Sequence, residues 1–130
     1  MTDPIADMII QIKNAGRAHK ETVTLTHSKV KAAILDCLAQ AGFIAGVTKK
    51  GKKVVKYLEV TLAYEADGQP KISEVKRVSK TSKRVYMKAK EIRPVRSGYG
   101  VMVLSTPGGI MTGEAARKAA VGGEVLFTAW

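Results

Sequence analysis

A chain of 130 residues with 45% hydrophobic and 25% charged residues can bury a globular core, which argues against an intrinsically disordered chain. Its 22 Lys and Arg stand against 11 Asp and Glu, a formal net charge of +11, so a polyanion is the expected partner: nucleic acid or an anionic membrane surface. No apolar run nears the ~20 residues of a spanning helix. Met1-Thr2-Asp3-Pro4 lacks the basic flank of a secretory signal, and Lys13 interrupts the apolar segment behind it. Cys37 has no second cysteine to pair with, and His19 and His27 make no metal cluster. These features predict a cytoplasmic protein without a cofactor.

Thr2 or Asp3 caps a first helix, with Pro4 in its opening turn. Ile5, Met8, Ile9 and Ile12 recur at helical spacing, and Gly16 is the expected stop. A strand follows at Thr22–Leu25. Ser28 caps a second helix whose apolar face is read as Val30, Ala33, Ile34, Cys37, Leu38 and Ala41, ending at Gly42. On that face Cys37 is a small core residue rather than a nucleophile. The period then changes to alternation. Phe43–Thr48 and Val54–Tyr64 read as strands around a basic turn, Lys49-Lys50-Gly51-Lys52-Lys53, with Leu58, Val60 and Leu62 on one face.

Glu65-Ala66-Asp67-Gly68-Gln69-Pro70 is the candidate boundary. Cations crowd the segment beyond it, from Lys71, Lys76 and Arg77 to Arg93 and Arg96. Strands are expected at Ile72–Val78, Val85–Met87, Tyr99–Leu104 and Glu124–Trp130, and a short helix at Glu114–Ala120 capped by Thr112. The predicted class is α/β (α+β): an N-terminal α-β-α-β-β domain over residues 1–66, then a mostly β domain over residues 67–130 with one short helix.

Enzyme signatures are weak. Ser28-Lys29-Val30-Lys31 matches a Ser-x-x-Lys nucleophile motif, but its partner motifs are missing and capping explains Ser28. There is no phosphate-binding Gly-rich loop, and the carboxylates are scattered. Three segments suit RNA better. Ser105-Thr106-Pro107-Gly108-Gly109-Ile110-Met111-Thr112 reads as a loop between a strand and the short helix, either a plain turn or a surface offering hydroxyls beside glycines. Ser79-Lys80-Thr81-Ser82-Lys83-Arg84 alternates hydroxyls with cations, and Tyr86 behind it can stack on a base or sugar. Gly122-Gly123-Glu124 sets a carboxylate at the mouth of a strand, where it can accept from a base amino group or a 2′-hydroxyl, or fix a local loop. A DNA-binding protein is the leading rival, but a strand separates the first two helices, unlike a helix-turn-helix pair. A protein-interaction module and a membrane-surface binder are the others.

These strings occur in an order that resembles the family of the eighth protein of the bacterial small ribosomal subunit. Thr2-Asp3-Pro4-Ile5-Ala6-Asp7-Met8 with Ile12-Lys13-Asn14-Ala15 is similar to its N-terminal helix. Val78-Ser79-Lys80 with Arg84-Val85-Tyr86 resembles its central motif. Ser105-Thr106, Gly109, Met111-Thr112, Glu114-Ala115-Ala116-Arg117 and Gly122-Gly123-Glu124-Val125 resemble its C-terminal signature. The resemblance covers the chain from end to end.

It implies a two-domain, non-enzymatic ribosomal protein; the sequence carries no sign of oligomerisation, so a monomer is expected until it joins the subunit. Its partners would be the central domain of small-subunit ribosomal RNA and neighbouring ribosomal proteins. Ser105, Thr106, Gly108, Gly109, Gly122, Gly123 and Glu124 would line the tight contact, flanked by Ser79, Lys80, Arg84 and Tyr86. Thr2, Asp3, Lys29 and Lys31 would add contacts from the N-terminal domain. Some family members bind their own operon's message, which makes a message-binding regulator or a general nucleic-acid binder the alternative role. The chain departs from the family pattern at Thr81-Ser82, Pro107, Gly108, Gly113 and Phe127.

Overall fold

The computed structural model describes residues 3–51, 56–80, 82–95 and 99–130. Helix α1 spans Pro4–Arg17, and the Ala6 amide donates to the Asp3 carboxylate at 3.2 Å. Met8, Ile9, Ile12 and Ala15 form its buried face. Gly16 does not stop the helix, contrary to expectation. It lies buried in the last turn, where a Cβ would come within 3.0 Å of the Pro70 Cβ. Close packing is its reason, and the left-handed turn falls instead at His19, φ 54°.

Strand β1 is Thr22–Thr26. Helix α2, Lys29–Gln40, opens with the Lys31 amide donating to Ser28 Oγ at 3.1 Å and ends before Gly42, φ +86°. Its buried face is Ala32, Ile34, Leu35, Cys37 and Leu38. Val30 is 50% exposed and Ala41 is exposed, so the stripe is rotated from the predicted one and centred on Leu35. Burial pushes the Cys37 thiol up, which keeps it protonated and inert. Strands β2 (Ile44–Gly51) and β3 (Lys56–Leu62) complete an antiparallel sheet in the order β1-β3-β2. Leu58, Val60 and Leu62 alternate inward as predicted. Lys49, Lys50 and Gly51 belong to β2 itself. Lys52 and Lys53 of the expected turn lie outside the described residues.

The second sheet holds β4 (Val75–Arg77), β5 (Tyr86–Met87), β6 (Val101–Thr106), β7 (Gly109–Thr112) and β8 (Gly123–Ala129). Strand β8 is its centre, paired with β6 on one side and with β4 and β5 on the other. Residues 105–112, expected as a strand-to-helix loop, are instead a hairpin: β6 pairs with β7 and Pro107-Gly108 forms the tip. Helix α3, Gly113–Lys118, is capped by Thr112, whose Oγ1 accepts from the Ala115 amide at 3.2 Å. A register shift between Val103 and Leu104 places three consecutive β8 residues, Val125, Leu126 and Phe127, in the interior. Simple alternation would have sent the middle one to solvent.

The two sheets share one core. Met8, Ile12, Leu35, Leu38, Leu58 and Val60 from the first part pack in one cluster with Val103, Phe127 and Ala129 from the second. A smaller cluster of Ile92, Leu104, Ala116 and Val125 lies within the second part. Polar contacts close the seam between α1 and the chain entering β4. Lys13 Nζ and Arg17 Nη2 reach the two oxygens of Glu74 at 3.2 and 3.1 Å, and Arg77 Nε reaches Asp3 Oδ2 at 2.9 Å. Among the described residues, no helix is long and apolar enough to cross a membrane.

The seam has a pH signature. Burial pushes the Asp3 carboxyl up, but the Ala6 amide and the Arg77 guanidinium outweigh it and hold its pKa below the ordinary value. A depressed carboxyl adds stability that is complete above its ordinary pKa and lost as pH falls through the lowered one. Acid titration of unfolding should therefore show a loss in that window that is smaller in Asp3→Asn. Asp3→Ala, which also removes the cap, should cost about 1–2 kcal/mol at neutral pH. A wild-type acid profile in Asp3→Asn would remove Asp3 from the account.

Candidate nucleic-acid interface

The candidate residues of the second part converge on the mouth of β8. Glu124 stands directly opposite Tyr86 on β5 and directly opposite Ser105 on β6. Residues opposite each other in an antiparallel ladder point to the same face. Tyr86, Glu124 and Ser105 thus form a row across three strands, with Tyr86 69% exposed. The buried run behind Glu124 anchors this row to the core.

Ser79 and Arg84 both donate to Oε2 of Glu124, Arg84 Nη1 at 3.1 Å. The Val85 amide donates to Ser79 Oγ at 3.1 Å. The backbones of Lys80 and Lys83 bond each other in both directions, at 2.8 and 3.0 Å, folding the basic loop back so that Arg84 meets Glu124. Thr81 lies outside the described residues. Burial pushes the Glu124 carboxyl up, but the bonds from Ser79 and Arg84 and the charges of Arg84 and Arg77 hold its pKa below the ordinary value. At neutral pH it is an acceptor only.

The glycines serve the chain's own approach. A Cβ on Gly123 would lie 2.3 Å from the Ser105 carbonyl oxygen, and one on Gly122 would lie 2.4 Å from that of Met87. They let β8 run close between its neighbours. Gly109 closes the β6–β7 hairpin with φ +112°. Thr106 Oγ1 donates to the Gly109 carbonyl at 2.8 Å and accepts from the Gly108 amide at 3.2 Å, so this hydroxyl holds the tip together. Pro107 sits between the paired residues Thr106 and Gly109, where no ladder bond needs its missing N–H. Gly113, where the family pattern has Asp, opens α3 in a buried position. A Cβ there would meet Ile92 at 3.1 Å.

Other predicted residues take different places. Ser79 is fully buried and meets only the protein. Asp3 is committed to the α1 cap and to Arg77. Lys29 and Lys31 lie in the first turn of α2, beside the other sheet. Lys31 donates to Thr26 Oγ1 at 2.9 Å, and Lys29 lines a recess with His27, Lys49, Lys50 and Lys56. Thr2 lies outside the described residues. Sequence reasoning missed Arg77 as a linking residue. It bonds the Leu126 carbonyl on β8 and Asp3 at the start of α1, and a count of cations gives no sign of either contact.

Comparison with known proteins finds relatives along the whole chain. The family model described as Ribosomal protein S8 matches residues 3–130. Small ribosomal subunit protein uS8 of Clavibacter michiganensis subsp. michiganensis is 45% identical over 130 residues, covering 100% of this chain and 98% of the relative. The protein of that name in Caulobacter vibrioides is 46% identical over 129 residues, covering 97% and 96%. The one in Mycoplasmopsis synoviae is 46% identical over 131 residues, covering 100% and 98%. By that match along its full length, the chain belongs to the ribosomal protein S8 family, a structural ribosomal protein of the small subunit and not an enzyme.

Proposed function

We propose that the chain binds the central domain of small-subunit ribosomal RNA directly, early in subunit assembly, gripping an irregular RNA helix with the face around β8. The carrying observation is the Tyr86–Glu124–Ser105 row. A stacking ring, an anchored acceptor and a hydroxyl share one face, with Lys80 and Arg84 exposed beside them. Exposed cations attract phosphate without regard to sequence, with a log–log salt slope of about −0.9 per phosphate in duplex DNA and a comparable one expected here. A carboxylate does the opposite, since it repels phosphate and rewards N–H or O–H donors. A regular A-form helix hides its base edges in a narrow groove, so displaced bases are the natural target.

In this reading residues 67–130 carry recognition. Residues 1–66 add phosphate contacts through Lys29 and the cations of its recess. The protein works in the cytoplasm as part of the ribosome, beside other small-subunit proteins.

The test is a titration of the protein against two RNAs, the central-domain helix with its irregular bases and the same helix made regular. Strong preference for the first at physiological salt is expected. Thr106→Ala, which frees the hairpin tip, should weaken the preferred complex by roughly 1–3 kcal/mol and leave the regular duplex nearly unchanged. Equal, salt-sensitive affinity for both RNAs would reduce the protein to a general nucleic-acid binder.

A further inference from the structure

Ser79 is the only polar residue among the described residues that is fully buried. Its hydroxyl is saturated by the protein, accepting from the Val85 amide at 3.1 Å and donating to Glu124 Oε2. RNA cannot reach it. Arg84 holds the same oxygen, Oε2, at 3.1 Å from the solvent side. Both donors therefore engage one carboxylate oxygen, and Oε1 accepts no hydrogen bond among the described residues.

A glutamate side chain on its own turns freely about three bonds and presents its oxygens at random. Here the rotamer is fixed, because one oxygen is tied from the core by Ser79 and from the surface by Arg84. Ser79 is held in turn by the backbone of Val85, whose carbonyl bonds the Val125 amide at 2.8 Å, the residue after Glu124. The circuit closes on itself, so Glu124 cannot swing without breaking a bond in the interior.

Resting on the RNA-binding reading above, we infer that Ser79 is a positioning residue for RNA selectivity: it aims Oε1 of Glu124 outward, between Tyr86 and Ser105, as a fixed acceptor for an RNA amino or 2′-hydroxyl donor. Ser79 touches no RNA, and its effect passes entirely through Glu124. Recognition at this point demands a donor group on the RNA, because a carboxylate oxygen can only accept. Arg84 has a second task, since its other nitrogens remain available to the phosphate backbone beside that donor.

The experiment is a double-mutant cycle on Ser79→Ala and Glu124→Ala. Each variant is titrated against the irregular and the regular RNA helix at several salt concentrations, with thermal unfolding run in parallel. Ser79→Ala should weaken the irregular complex about tenfold, the equivalent of about 1.4 kcal/mol. Affinity for the regular helix and the salt slope should stay as in wild type, and a cooperative thermal transition shows that the variant is folded. In the Glu124→Ala background, Ser79→Ala should have no further effect on discrimination. Ser79→Cys, which keeps the volume with a weaker donor, should fall between wild type and Ser79→Ala.

Discrimination unchanged by Ser79→Ala overturns the proposal. So does a loss of the same factor in both Glu124 backgrounds, or an equal loss on both RNAs that follows the drop in thermal stability. Glu124→Ala alone separates the two levels of the argument. If it leaves discrimination intact, the RNA reading of this face fails. If it abolishes discrimination while Ser79→Ala does not, only the role given to Ser79 fails.

Discussion

Phe127→Ala should lower the free energy of unfolding by about 3–5 kcal/mol and destabilise both halves of the molecule together. Phe127 has no exposed surface and is the largest fully buried side chain among the described residues. It lies on β8, the central strand of the second sheet, opposite Val103 and Arg77. Its cluster nevertheless includes Met8, Ile12, Leu35, Leu38 and Val60 from the first part. Truncation leaves a cavity where both sheets and two helices meet, and a close-packed interior relaxes only partly into such a space. Urea unfolding followed separately by far-ultraviolet circular dichroism and by a probe in residues 1–66 should give coincident transitions, in wild type and variant alike. A first part that keeps its wild-type midpoint in Phe127→Ala would show two independent domains joined by a boundary near Glu65–Pro70.

Gly123→Ala should have the second largest effect, and it should strike stability and binding together. The added methyl would sit 2.3 Å from the Ser105 carbonyl oxygen and 3.0 Å from the Thr106 side chain. The first of these is backbone in a paired strand, so no flexible side chain can yield. Strand β8 must move away from β6 at its mouth, at a cost of roughly 1–3 kcal/mol or more. That movement breaks the alignment of Glu124 with Ser105. Selectivity for the irregular helix should fall even at temperatures where the variant is fully folded, while the cationic attraction measured by the salt slope persists. Gly42→Ala makes a useful contrast. A methyl there meets nothing within 4 Å, so its cost comes only from φ +86° and should leave RNA selectivity intact. A Gly123→Ala protein with wild-type stability would mean that β8 and β6 are not so closely apposed.

Much of the architecture was legible from local chemistry. Capping by Asp3, Ser28 and Thr112 follows from short side chains that can accept from an amide three residues on, and all three caps form. The alternation of Leu58, Val60 and Leu62 needs only a strand with one buried face. The charge of +11 pointed to a polyanion without any fold at all. The order of short motifs along the chain carried the family.

Tertiary structure decided what depends on residues far apart in sequence. Gly16 carries a local stop signal, but Pro70 packs against it and the helix runs past. Val125, Leu126 and Phe127 break the alternation because a bulge opposite Val103 and Leu104 turns one extra residue inward. Pro107-Gly108-Gly109 is ordinary turn material ahead of a helix cap at Thr112, so Gly109–Thr112 reads as loop, and pairing with β6 makes it a strand. Ser79 and Glu124, separated by 45 positions, became a single unit only when β8 was laid beside the basic loop. Composition and motif order were enough to name the residue types of the proposed interface. Folding alone decided which of them face solvent and which, like Ser79 and Asp3, work from behind, because burial and hydrogen-bond partners are properties of contacts between distant segments.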